Sequence, residues 1–218
     1  MNLIFSPGQA PVFLARSFFE RPFLTVARDL VGCTLVWDGC AGRIVELEAY
    51  GVAGDEACHT MSRPSARRFV EEHPAGTAYV YLNYGMYWLL NVLVKGGGED
   101  GILLLRALEP VAGLEVMRAR RGREEAGDLC SGPGKLGRAL ALSGADHGCE
   151  LASHMTTGRV RGFLPRNGAG KISLMADGRI GISRAVELPW RFSVRGHPHV
   201  SVKPRELAYK MGGKKRRG

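Results

Sequence analysis

Glu46, Glu48 and Tyr50 alternate with Val45, Leu47 and Ala49 in the run GRIVELEAY, residues 42–50. In a strand of period two the apolar set shares one face, while the carboxylates and the tyrosine share the other. That polar face has two readings. The carboxylates stand in water, or one of them lines a cleft as a general base with Tyr50 beside it as a flat surface for a ring. Farther on, Tyr79 and Tyr81 share a strand face, Asn91 lies in the returning run, and Tyr84 stands between Asn83 and Gly85. A tyrosine at such a tip is poorly placed to be core. Side chains that kink a duplex enter between base steps, and a base that is to be acted on must leave the stack, so a tip aromatic suits a wedge. Packing is the other reading of Tyr79 and Tyr81.

Other groups carry less. His59 follows Cys58, yet the chain lacks the His-x-Glu and Pro-Cys-x-x-Cys pair of zinc deaminases, which disfavours a metal. The five cysteines, Cys33, Cys40, Cys58, Cys130 and Cys149, are odd in number and suggest neither a disulfide framework nor a thiolate zinc site. Residues 132–135 read Gly-Pro-Gly-Lys, but Leu136 follows the lysine and no glycine stands five residues before Gly134, so a nucleoside triphosphate loop is rejected. Main-chain amides at that helix start, with Lys135, either hold a DNA phosphate or simply cap the helix.

These residues need elements to hold them. Residues 14–31 read as two short helices separated by Pro22 and closed by Gly32. Residues 33–37 and 42–50 form a hairpin about Asp38 and Gly39, and residues 77–82 and 86–95 form a second, protruding hairpin about Asn83, Tyr84 and Gly85. A further strand is expected at 102–108, and helices at 111–121 and 131–142. Residues 51–74 read as a polar loop holding Arg63, Arg67 and Arg68, and the remainder after residue 142, with Ile180, Gly181 and Ile182 and then residues 190–202, returns to strands and turns. No repeat or linker divides the chain. The expectation is a single α+β domain with a curved, mostly antiparallel sheet flanked by helices, over residues 14–205. Residues 1–13 read as a loose N-terminus and 206–218, with Lys214, Lys215, Arg216 and Arg217, as a basic disordered tail.

Composition permits this. The 218 residues are 45% hydrophobic, enough to bury one good core. Thirty Lys and Arg against 21 Asp and Glu give a net charge of +9, which favours a polyanionic partner through counterion release. No signal-peptide pattern opens the chain and no apolar run is long enough for a bilayer, so a cytoplasmic protein, with the nucleoid in a prokaryote, and no membrane partner are expected.

Five ordered blocks carry a resemblance: GRIVELEAY at 42–50, DEACH at 55–59, YVYLNYGMYWLLN at 79–91, LLRALEP at 104–110 and SGPGKL at 131–136. In order and spacing, from about residue 14 to 202, they resemble the alkyladenine (3-methyladenine) DNA glycosylase family. The resemblance implies that Glu48 is the general base, and that Arg106 and the main-chain carbonyl of Ile180 hold the attacking water with it. It makes Tyr84 the intercalating residue and Tyr50, His59 and Tyr81 the stacking walls of a base pocket. His59 also hydrogen-bonds the base, and Asn91 filters purines by their exocyclic group. The family works without cofactor, metal or lysine Schiff base. Where its members carry Thr-Pro-Arg-Asn-Arg, this chain has Arg63, Pro64, Ser65, Ala66, Arg67 and Arg68, and residues 95–100 are glycine-rich and slightly lengthened.

The activity implied by the resemblance is that of a monofunctional glycosylase of base excision repair, which flips 3-methyladenine, 7-methylguanine or hypoxanthine from double-stranded damaged DNA and leaves an abasic site. Arg63, Arg67, Arg68 and Lys135 are candidate backbone contacts. A monomer functionally coupled to an abasic-site endonuclease is expected. Two rivals differ in class: a non-catalytic damaged-DNA-binding protein, which would release no base, and an RNA-binding domain, which would bind undamaged single strands equally well.

Overall fold

The computed structural model describes residues 12–152, 155–156, 159–166 and 172–203. Most of the expected N-terminal segment (1–11) and the expected basic tail, 206–218, lie outside the described residues. Phe13 is buried against Val36, Ala41 and Ala112.

Pro22 divides two helices as expected, α1 (Arg16–Phe19) and α2 (Phe23–Leu30). Phe23, Val26, Ala27 and Leu30 recur at helical spacing and are buried, which fixes α2 against the sheet. The sheet begins with β1 (Thr34–Trp37) and β2 (Cys40–Gly51), joined through Asp38 and Gly39, both at positive φ. It continues with the hairpin β3 (Ala78–Asn83) and β4 (Tyr87–Val94), and then β5 (Gly101–Ala112). Strands β6 (Met155–Thr156), β7 (Arg159–Leu164), β8 (Leu174–Asp177) and β9 (Arg191–Val194) complete it. The order is β3-β4-β5-β2-β1-β7-β6, and every pairing among the described residues is antiparallel. The expected curved α+β domain is present; β7, paired to β1, falls in the remainder expected to return to strands and turns, whereas residues 180–182 form no strand.

Strand β2 is the axis. One of its edges lies along β5; the other is shared, by β1 through residues 40–43 and by β9 through residues 46–48. The β2–β5 register shifts between Ile44 and Glu46 and again between Glu46 and Leu47, irregularities that bend a strand and re-aim its side chains.

The expected loop at 51–74 is instead largely helical, with α3 (His59–Ser62) and α4 (Pro64–Glu72). Pro64 at the first helical position supplies a ready φ, and Ala66, Phe69 and Val70, spaced i, i+3 and i+4, bury one stripe among polar residues. That stripe forms a second cluster with Cys58, Tyr79, Leu93 and Ile102. Helices α5 (Leu114–Arg121), α6 (Ala126–Leu129) and α7 (Pro133–Ala139) follow β5. Helix α7 approaches β4 so closely that a Cβ on Gly137 would stand 2.0 Å from the Trp88 carbonyl oxygen.

Candidate active site

The alternation of Glu46, Glu48 and Tyr50 does not leave the carboxylates in water. Both are 0% exposed, because the shared edge of β2 and the register shifts turn this face onto β9 and the segment after β8. Around Glu48 every partner donates. The Ile180 amide reaches Oε1 at 2.7 Å, Arg106 Nη1 reaches Oε1 at 3.2 Å, and the Tyr50 hydroxyl reaches Oε2 at 2.8 Å. Three donors, one of them a guanidinium, thus converge on a single carboxylate. Burial, then the neighbouring Glu48 charge, pushes the Tyr50 phenol well above its ordinary range, so it stays protonated and donates.

In front of this carboxylate lies a cavity of about 210 Å³ whose walls include Tyr50, His59, Tyr79, Tyr81, Asn91, Arg106 and Ile180. Glu48 is not in the wall itself; its donors Tyr50, Arg106 and Ile180 are. The His59 ring stands edge-on to Tyr81, centroids 4.5 Å apart, and its Nδ1 is 3.2 Å from the Tyr79 hydroxyl. Asn91 is buried and donates from Nδ2 to the Tyr79 carbonyl at 2.9 Å. Asn91 pairs with Leu104, and residues 95–100 close the hairpin with the Gly96 amide on the Asp100 carboxylate, so the glycine-rich turn leaves Asn91 and Arg106 on neighbouring strands. The arrangement is a slot lined by aromatic rings, with the Glu48 carboxylate buried behind the wall made by Tyr50, Arg106 and Ile180.

Residues 17–198 match the pattern of the methylpurine-DNA glycosylase family. The chain belongs to that family. It is 42% identical over 197 residues to a protein of Rhodopseudomonas palustris strain HaA2, covering 90% of this chain and 94% of the other. It is 39% identical over 201 residues to one of Bradyrhizobium diazoefficiens strain USDA 110, covering 90% and 94%. A third, from Rhizobium meliloti strain 1021, is 42% identical over 186 residues, covering 85% and 95%. All three are provisionally named 3-methyladenine DNA glycosylases. The chain is accordingly a DNA N-glycosylase, a hydrolase of N-glycosyl bonds acting in DNA repair, and the rival readings without catalysis fall away.

The glycosylase presents Tyr84 at the tip of the β3–β4 hairpin, 81% exposed. Tyr84 and Gly85 both have positive φ, and the Met86 amide donates to the Asn83 carbonyl, the pattern of a tight hairpin turn. A tyrosine held there costs about 1–2 kcal/mol of backbone strain. Tyr84→Gly should therefore leave the melting temperature unchanged or raise it, while lesion-duplex affinity falls about tenfold or more, as for loss of an intercalating ring. Parallel melting and binding titrations check this; unchanged affinity would remove Tyr84 from the DNA contact.

Burial, and secondarily Arg63, pushes the His59 imidazole down to about 4. Its folded pKa lies below the unfolded value, so the unfolded chain binds the extra proton between about pH 6.5 and 4. The stability His59 contributes is complete above about 6.5 and is lost as pH falls toward 4. His59→Gln should flatten the acid limb of a melting-temperature profile over that window; an unchanged limb would place the titration in another group, such as His147 or His197, which burial also lowers.

The candidate backbone cations come from two elements, α4 with its N-cap and α7. Arg67 and Arg68 are exposed on α4, Arg63 caps it with its guanidinium 5.8 Å from the Tyr81 ring centre, and Lys135 Nζ donates to Ser131 Oγ. Two features escape the sequence pattern. Glu46 binds Arg106 Nε at 3.0 Å, Arg191 Nη1 at 3.2 Å and the Ser201 amide at 2.6 Å, which makes it the group that positions Arg106. Ile180 is expected to act through its carbonyl; its amide is the group the structure places on Glu48. Among the described residues, no group of three His, Cys, Asp or Glu is arranged to hold a metal ion, and no helix is long and apolar enough to cross a membrane.

Proposed function

We propose that the enzyme is a monofunctional glycosylase that flips 3-methyladenine or 7-methylguanine, and hypoxanthine among neutral bases, into the slot and hydrolyses the bond to the sugar. What carries the reading is the anion behind the rings: Glu48, wholly buried and held by three donors at the end of a purine-sized aromatic cavity. Loss of the base leaves positive charge on the sugar, and a fixed carboxylate stabilises that charge and takes a proton from water. Arg106 and the Ile180 carbonyl hold that water. Glu48 presents Oε1 to the Ile180 amide and Arg106, and Oε2 to the Tyr50 hydroxyl.

Tyr50, His59 and Tyr81 sandwich the base. An alkylated purine already carries the positive charge that favours both stacking on electron-rich rings and departure. His59, neutral at working pH, donates a hydrogen bond to the base, and Asn91 discriminates by exocyclic group. Tyr84 fills the gap left in the duplex, with Arg63, Arg67, Arg68 and Lys135 on phosphates. The domain spans 14–205 and works as a cytoplasmic monomer at the nucleoid. Its abasic product passes to an abasic-site endonuclease without a stable complex. The test is incubation with duplexes carrying each lesion. Free base with an intact, alkali-labile strand is expected; strand cleavage with a borohydride-trapped adduct would exclude a monofunctional mechanism.

A further inference from the structure

Against the Tyr50 ring, and outside the lining of the slot, lies a charge pair that the chemistry above does not use. Arg179 and Asp55 have wholly buried side chains and meet twice, Nη1 to Oδ2 at 2.5 Å and Nη2 to Oδ1 at 2.8 Å. Arg179 does not line the cavity, yet its guanidinium carbon stands 4.6 Å from the centre of the Tyr50 ring, which does. Because Tyr50 lines the slot and Arg179 does not, we take the cation to stand on the face of the ring turned away from the base. Asp55 also accepts from the amides of Gly51 and Ala57, so it ties the end of β2 and the approach to His59 to Arg179, whose neighbour Ile180 donates to Glu48.

An uncompensated guanidinium there would oppose a cationic base through the ring. Adding a stacking distance of ~3.5 Å puts the two charges roughly 8 Å apart, close enough in a partly buried site to change affinity by about tenfold or more. From this geometry we infer that Asp55 sets the charge selectivity of the pocket: by neutralising Arg179 behind Tyr50, it lets the slot accept a positively charged alkylpurine, while Arg179 keeps its packing role. The inference deepens the proposed function and rests on that reading. Asp55 and Arg179 are positioning residues, since neither touches the base.

The test compares a cationic base with its neutral isostere. Duplexes carrying 7-methylguanine or uncharged 7-methyl-7-deazaguanine are titrated with the Glu48→Gln protein, which holds the lesion without turnover, and with the same protein carrying Asp55→Asn or Arg179→Gln. Asp55→Asn should lower the cation-to-neutral affinity ratio about tenfold, whereas Arg179→Gln, which removes the cation, should leave the ratio at or above its starting value. A purely structural role would weaken both duplexes equally in both variants. Equal weakening, no change in ratio with Asp55→Asn, or a fall with both variants would overturn the inference. Failure of the wild-type protein to release any base would instead overturn the function on which it rests.

Discussion

Replacing Glu48 with Gln should lower single-turnover base release by at least about a thousandfold, equivalent to ~4 kcal/mol of lost transition-state stabilisation, while lesion-duplex binding persists. The hydrogen-bond geometry makes this substitution informative. Oε1 accepts from both the Ile180 amide and Arg106, so the single oxygen of a glutamine is drawn to that position. Its amide nitrogen then faces the Tyr50 hydroxyl, which can turn and accept. The pocket should keep its shape, and under the proposed mechanism what disappears is the negative charge that opposes the sugar cation and the basicity that takes a proton from water. Rates from quenched time courses and affinities from anisotropy titrations separate the two effects. Wild-type release by the Gln variant would mean that the carboxylate is not the base; loss of binding in step with release would mean that it shapes the pocket instead.

Glu46→Gln should act on stability first. Glu46 lies between two guanidiniums, Arg106 and Arg191, and also accepts from the Ser201 amide and hydroxyl. Removing the charge leaves two buried cations with diminished compensation, and breaking such a network costs about 3–5 kcal/mol. Arg191 keeps Asp177 at 2.6 Å, which limits the damage on that side. Arg106 keeps only Glu48 as a charge partner among the described residues, so it should be drawn toward it and away from the place proposed for the water. Reduced release at temperatures where the variant is still folded is the expected companion effect. Urea unfolding at neutral pH measures the first effect and time courses at low temperature the second. A stability change below about 1 kcal/mol would show that the network is balanced without the charge.

The hairpins, the two N-terminal helices and the strand bearing LLRALEP were legible because their signals are local: Pro22 between apolar stripes, Asp38-Gly39 and Tyr84-Gly85 between β-forming runs. The ordered blocks put Glu48, Tyr50, His59, Tyr81, Asn91 and Arg106 in one place, and the structure brings them around one cavity and the anion behind it. Composition misled at 51–74, where charged residues hid the short buried stripe of α4. Period-two alternation also misled, because it assigns faces without saying what covers them. The burial of Glu46 depends on Arg106, Arg191 and Ser201, between 60 and 155 residues away in the chain. No local spacing encodes Asp55 with Arg179 either, 124 residues apart.

Because β2 is hydrogen-bonded along both edges, to β5 on one and to β1 and β9 on the other, it cannot detach without undoing the sheet. Glu46 and Glu48 ride on that strand, and their partners arrive from regions joined only after long loops have closed. The strand that ties the sheet together is thus also the one that carries the candidate carboxylates, and opening the sheet should disperse the site with it.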